Sequence, residues 1–211
     1  MRAFVVAGSP HSIQPAALRP QPGDWVVAAD GGANLCAIWQ WPVDTVVGDM
    51  DSIAPDLAAR LQAQGVPFHV YPTDKDQTDL ELALRLAVAA APAEIVVAGA
   101  LGARIDHTVG NLSLLALPEL AAVPTRIVDG CQTIWLVRSR LTVPGRPGDT
   151  LSLLPFGGDV GGVSVEGVRW PLHDADLPLG PSLTISNQLT QSQAEIRVRR
   201  GSLLAVHIAG E

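Results

Sequence analysis

Aromatic residues are scarce: Phe, Trp and Tyr together make up 4% of the 211 residues. With hydrophobic content at 47%, the core has to be built mostly from Val, Leu, Ile and Ala. Positive charge is also short. The net charge of −7 excludes a protein that tracks a nucleic-acid backbone or docks on an anionic membrane. There are two cysteines, Cys36 and Cys131. Lacking CxxC spacing, both read as reduced core thiols in the cytosol. No apolar run is long enough to span a bilayer. The longest, "LAVAAAPAEIVVAGALGA" from Leu86, contains Pro92 and Glu94 and reads as a helix end followed by a strand. The opening "MRAFVVAGSPH" breaks its apolar run too early for a signal peptide. These absences together predict a soluble cytoplasmic protein. Internal repeats and low-complexity segments are missing too.

Lysine is rarer still. Thirteen arginines stand against a single lysine, Lys75, set between Asp74 and Asp76. Such usage points either to a need for one compact ammonium at that place or to chance.

What is present divides near residue 124. Up to there, "RAFVVAG", "DWVVAAD", "DTVVGD", "PFHVYP" and "EIVVAGA" read as strands of a parallel sheet buried on both faces. Between them lie helical patterns: "GGANLCAIWQ", "PDLAARLQAQG", "TDLELALRLAVAAA" and "HTVGNLSLLAL". Thr78 and Glu81 have capping-box spacing, which makes Thr78 the N-cap and Asp79 the first helical residue. Leu80, Leu84, Ala87 and Val88 then share one apolar face. Beyond the division, "TRIVDG", "TIWLVRS", "TLSLLPF", "VSVEGV", "SLTISN", "AEIRVRR" and "SLLAVHI" read as strands separated by turns, with Arg200-Gly201 a tight connection. The predicted class is α/β. Residues 1–123 form a parallel sheet with helices on both faces, and residues 124–211 a small all-β sandwich.

Ligands of open α/β sheets bind at the carboxyl ends of the strands, and there the polar residues gather. The second strand ends in Asp30, Gly31, Gly32 and Asn34, and the third in Gly48, Asp49 and Asp51. The fourth is followed by Thr73, Asp74, Lys75, Asp76, Thr78 and Asp79, and the fifth by Gly99, Gly102, Arg104, Asp106 and His107. Any one such loop is an ordinary turn. Four in succession are poorly explained that way. Carboxylates crowded into one crevice repel unless a divalent cation sits among them. Asp49, Asp51 and Asp79 offer oxygen ligands only, which favours Mg²⁺ held with substrate phosphates. Glycines let backbone approach phosphates, and Lys75 and Arg104 can neutralise them. This is equipment for nucleotide-dependent phosphoryl or pyrophosphoryl transfer.

Other readings of "VVGDMDSI" (46–53) are weaker. There is no GxxxxGK[ST] loop, and no GxGxxG follows the first strand. A haloacid-dehalogenase phosphatase usually carries its nucleophilic DxD on the first strand rather than the third. The metal-binding DxD of glycosyltransferases leaves the other three loops unexplained.

The successive motifs "DGGAN" (30–34), "GDMDSI" (48–53), "DKDQTDLELAL" (74–84) and "GALGARIDHTVGN" (99–111) resemble those of thiamine pyrophosphokinases. So do "GVRWPL" (167–172), "ISNQL" (185–189) and the closing "IRVRRGSLLAVHI". The resemblance runs in order over nearly the whole chain, departing in Ala103, often Gly in the family, and in Trp170, often Tyr in bacterial members. It implies transfer of a pyrophosphoryl group from ATP to the hydroxyl of thiamine, giving thiamine diphosphate and AMP. It assigns Asp49, Asp51 and Asp79 to Mg²⁺, with Asp76 beside them as a catalytic candidate. It assigns Asp30, Gly31, Gly32, Asn34, Lys75, Thr78, Gly102, Arg104, Asp106, His107 and Asn111 to ATP, and Trp170, Ser186 and Asn187 to thiamine. Asp30, Asp76 and His107 are the candidates for a general base. His11, His69, His173 and His207 read as structural. A homodimer with thiamine at the subunit interface is likewise implied. A pyrophosphokinase acting on a pterin and a non-catalytic nucleotide sensor are the rival functions. "GVRWPL" and "SNQL" speak against the first, the intact aspartates against the second.

Overall fold

The computed structural model describes residues 1–16, 18–102 and 104–210, so Ala103 lies outside the described residues. It divides into two units, Met1–Gly130 and Cys131–Glu211. The first contains β1 (Arg2–Val6), β2 (Trp25–Ala29), α1 (Gly32–Trp39), β3 (Thr45–Gly48), α2 (Pro55–Ala63) and β4 (Phe68–Val70). It continues with α3 (Asp79–Ala89), β5 (Glu94–Ala98), α4 (Ile105–Leu114), a 3₁₀ turn at Pro118–Ala122 and β6 (Thr125–Asp129).

These six strands run parallel in the order β6-β5-β1-β2-β3-β4. Alternation of side chains along the strands supplies both faces. Phe4, Val6, Val26, Ala28, Val46, Val96 and Ala98 form one buried cluster with Ala33, Leu35, Cys36 and Trp39 of α1 and Leu61 of α2. Val5, Val27, Val47, Ile95 and Val97 alternate with them, and α3 packs against β1, β2 and β3 with Leu80, Ala83, Leu84 and Ala87 buried. Thr78 caps α3 as its spacing predicts, its hydroxyl accepting the Glu81 N–H at 3.2 Å. The edge strand β4 departs from expectation: His69 and Val70 are exposed, because an outermost strand has a neighbour on one side only. Burial pushes the Cys36 thiol up to about 12. Cys131 is exposed, correcting its reading as a core thiol.

Thr125–Asp129, assigned by sequence to the all-β half, pairs in parallel with β5 and buries Ile127 and Val128. It is thus a sixth strand of the first sheet, and the compact unit extends to Gly130.

The second unit holds β7 (Gln132–Val137), β8 (Arg140–Pro144), β9 (Thr150–Pro155), β10 (Val160–Glu166), β11 (Leu172–Leu177), β12 (Asn187–Gln188), β13 (Gln193–Arg197) and β14 (Leu203–Ile208). Antiparallel strands β12-β9-β14-β7 and β11-β10-β13-β8 make two layers. Between them Leu151, Leu153, Leu203 and Ala205 pack with Val143, Val163, Val165, Ala194 and Ile196. Arg200-Gly201 therefore carries the chain from one layer to the other rather than closing a hairpin. "SLTISN" is a turn up to Ser186, with strand geometry only from Asn187. Its Thr184 bonds Leu153 through side chain and backbone instead of through a ladder. Among the described residues no helix is long and apolar enough to cross a membrane.

Candidate active site

The order of the first sheet reverses between β1 and β5, so the loops after these strands diverge and leave a crevice at their carboxyl ends. A cleft of about 390 Å³ opens there. Its walls include Asp30, Gly31, Lys75, Thr78, Asp79, Gly102, Arg104, His107 and Asn111, nine residues singled out from sequence. Gly8, Ser9 and Pro10, after β1, line it as well. Sequence reasoning passed over them because that strand end carries no carboxylate. The signal was its position: "GSP" follows the first strand directly.

Two glycines make the convergence possible. A Cβ on Gly32 would stand 1.9 Å from the Val6 carbonyl oxygen, so only glycine lets α1 begin against the end of β1. Gly48, at φ +149°, would place a Cβ 2.9 Å from both Asp30 Cβ and Asp79 Cγ. Without one, Asp30, Asp49 and Asp79 each bring an oxygen within 4.8 Å of the others.

Asp30 is 2% exposed, and its two oxygens accept the N–H groups of Ser52 and Ile53 at 2.9 and 3.1 Å. Burial nevertheless holds its carboxyl above the ordinary value. Lys75 enters the cluster from the following loop, with Nζ 3.2 Å from Asp49 Oδ2 and 3.1 Å from Asp79 Oδ1. Desolvation opposes ionisation of both Asp49 and Lys75. Attraction prevails at each: Lys75 lowers the Asp49 carboxyl, and Asp79 together with Asp49 raises the lysine. Among the described residues, Asp79 Oδ1 is buried with no hydrogen bond of good geometry, and Lys75 meets it as an ion pair. An under-coordinated buried oxygen among three carboxylates fits a hard divalent cation.

Asp51 stands apart. Met50 between the two aspartates has φ +66°, a left-handed turn, and Asp51 is exposed with its Oδ1 accepting the Ser52 hydroxyl at 2.7 Å. It lies outside the group of three. Asp76 is exposed too. Asn34 braces the turn, donating to Ser52 O at 2.9 Å and accepting the Ala54 N–H at 3.0 Å. Arg104 and Asp106 pair at 2.6 Å, which lowers the Asp106 carboxyl to about 2. Asn111 donates to Ala100 O at 2.8 Å.

In the second unit a separate cavity of about 420 Å³ brings Trp170, Ser186 and Asn187 together over Leu151, Leu153 and Leu172. Asn187 grips the Trp170 backbone at both ends, accepting its N–H at 3.1 Å and donating to its carbonyl at 2.8 Å. The indole is 55% exposed and carries the Arg169 guanidinium 4.8 Å from its ring centre. It is not a core residue.

Two family models match the chain: the thiamin pyrophosphokinase catalytic domain over residues 21–125 and the thiamin pyrophosphokinase vitamin B1 binding domain over residues 138–203. The chain belongs to the thiamine pyrophosphokinase family. Members are diphosphotransferases, and this chain is an enzyme of that class. It is 29% identical to a thiamine pyrophosphokinase of Bacillus subtilis (strain 168), covering 96% of each chain. A crystal structure of the enzyme from Bacillus subtilis superposes with a TM-score of 0.89 at 27% identity, over 100% of both chains. A family protein from Enterococcus faecalis does so at 0.86 and 26%, again over 100% of both.

Proposed function

We propose that the protein transfers the pyrophosphoryl group of ATP to the hydroxyl of thiamine, releasing thiamine diphosphate and AMP. The observation that carries this reading is the cluster of Asp30, Asp49 and Asp79 beside a glycine-lined cleft with Lys75 and Arg104 on its walls. Asp49 and Asp79 would hold Mg²⁺, with Asp30 from the buried side and Asp51 from the exposed side as further carboxylates. When bound, the ion neutralises phosphate charge and aligns the chain of phosphates.

The rest is positioning. Gly31 and Gly102 allow the nucleotide close to the backbone, and Lys75 and Arg104 balance its remaining charge. Thr78, His107 and Asn111 complete the pocket. Trp170, Ser186 and Asn187 take the heterocycle, the indole offering its face to a flat, cationic ligand. The thiamine oxygen attacks the β-phosphorus, the bond from that phosphorus to the α-phosphate oxygen breaks, and the hydroxyl proton leaves to a base. Asp30, Asp76 and His107 are candidates for that base. A homodimer with thiamine at the subunit interface completes the reading. In support, α4 has no buried residue, and its Ile105 and Val109 are 77% and 54% exposed.

A pterin pyrophosphokinase is the alternative, but the match to a vitamin B1 binding domain speaks against it. Purified protein given ATP, Mg²⁺ and thiamine should release AMP and thiamine diphosphate in equal amounts. ADP in place of AMP would mean a simple kinase.

A further inference from the structure

One wall of the cleft is the segment that follows β1, and it carries no charge of its own. Its near end is tied across the crevice. The Ser9 N–H donates to Gly99 O at 2.9 Å and its hydroxyl to Leu101 O at 2.7 Å. The Ser12 hydroxyl donates to Leu101 O at 2.7 Å and accepts the Leu101 N–H at 3.2 Å. The far end is Ile13, whose side chain is 61% exposed, so apolar packing does not hold it. Hydrogen bonds do. Asp129 Oδ1 accepts the Ile13 N–H at 2.8 Å, and the Gly130 N–H donates to Ile13 O at 2.9 Å.

Asp129 is the last residue of β6, 7% exposed, and does not line the cleft. Burial raises its pKa against the opposing pull of the Ile13 N–H. A buried carboxylate is costly unless its acceptors are used, and this one is spent on the segment that continues into the cleft wall.

We propose that Asp129 is a positioning residue for the nucleotide: it anchors Ile13 and so holds Ser9 and Pro10 in place as a wall of the cleft. The inference rests on the cleft being the ATP site. The amide oxygen of asparagine can accept the same N–H, whereas alanine cannot, and this sets the test.

Affinity for a non-hydrolysable ATP analogue with Mg²⁺ is measured by calorimetry on the intact protein, beside KM for both substrates and amide exchange of Ser9 to Ile13. Asp129→Ala should weaken nucleotide binding by about 10-fold, as loss of a hydrogen bond to a charged group gives. KM for thiamine and kcat at saturating ATP should hold, exchange in the loop should accelerate, and Asp129→Asn should restore all of these. Unchanged nucleotide affinity in folded Asp129→Ala, equal losses for both substrates, or an Asp129→Asn no better than alanine would overturn the proposal. If Asp129→Ala does not fold, Asp129→Ser, whose hydroxyl falls one bond short of the Oδ1 that accepts the Ile13 N–H, should show the same nucleotide-selective loss, and its absence counts against the proposal equally. A wild-type protein that binds no nucleotide would refute the assignment of the cleft. Faster loop exchange in Asp129→Ala would then still establish the anchor, and unchanged exchange would remove it.

Discussion

Lys75 Nζ lies 3.1 Å from Asp79 Oδ1 and 3.2 Å from Asp49 Oδ2, so the only lysine of the chain bridges two carboxylates of the candidate metal cluster. An ammonium there satisfies the same charge that a divalent cation would. Removing it frees both carboxylates for the metal but withdraws a cation from the phosphates. Lys75→Met is therefore expected to bind Mn²⁺ more tightly in the absence of nucleotide, by about 10-fold if the lost competition amounts to roughly 1.4 kcal/mol. Its KM for ATP should rise or its kcat fall, with Lys75→Arg only a partial rescue because guanidinium and ammonium differ in shape and hydration. Unchanged metal affinity and unchanged kinetics would return the lone lysine to chance.

Asp49→Asn and Asp79→Asn should each lower turnover by at least ~10²-fold, the scale of losing a charge stabiliser of the transition state. Asp51→Asn should do the same if the exposed carboxylate also serves the metal. Thermal unfolding should move little, and for Asp49→Asn downward if anything, since Lys75 holds that carboxyl below the ordinary value and the ion pair is lost with the charge. Loss of folding with activity retained would make these residues structural.

Trp170→Ala should raise KM for thiamine by ~3- to 30-fold, converting a cation–π or stacking contact of roughly 0.5–2 kcal/mol. KM for ATP should move far less. The indole is 55% exposed, so the fold should survive, and Trp170→Phe should recover part of the loss. Equal effects on both substrates would remove Trp170 from the thiamine site.

Asp149 sets an expectation for pH. Burial would push its carboxyl up. The N–H groups of Gly210 and Arg146 and the buried His207 outweigh that and hold it below the ordinary value. A carboxylate depressed in the folded state contributes stability that is present above its unfolded pKa and is lost as pH falls through the folded value. Thermal unfolding of Asp149→Asn compared with wild type should therefore differ most near neutral pH, and the two should converge in acid. A difference that stays constant between pH 7 and pH 3 would contradict it.

Much of this architecture was legible because its signals are local. β-branched runs ending in Gly and Asp marked the parallel strands, and Thr78 with Glu81 marked the start of α3. The rim of polar loops followed from the rule for open sheets. What escaped was set by distant contacts. β11, "LHDADL", lacks a clean alternation, and β8, "RLTVP", alternates but is only five residues long and ends on proline; their pairing partners make them strands. "SLTISN" has strand composition, yet its Thr184 is taken by Leu153. The separation of Asp51 from Asp49 depends on a left-handed Met50, a conformation that composition does not announce. Asp30 joined the candidate metal cluster because an absent Cβ at Gly48 leaves room for it. Ser9 and Pro10 reached the cleft through sheet order alone.

Pyrophosphoryl transfer in one step is tested most directly by the fate of individual phosphates. ATP labelled separately at the α, β and γ positions is incubated with the protein, Mg²⁺ and thiamine, and the label is followed into the separated products. The β and γ labels should both enter the thiamine product in equal amounts from the first turnover, and the α label should remain wholly in AMP. A γ label entering the thiamine product alone, with ADP released, would contradict the proposed reaction.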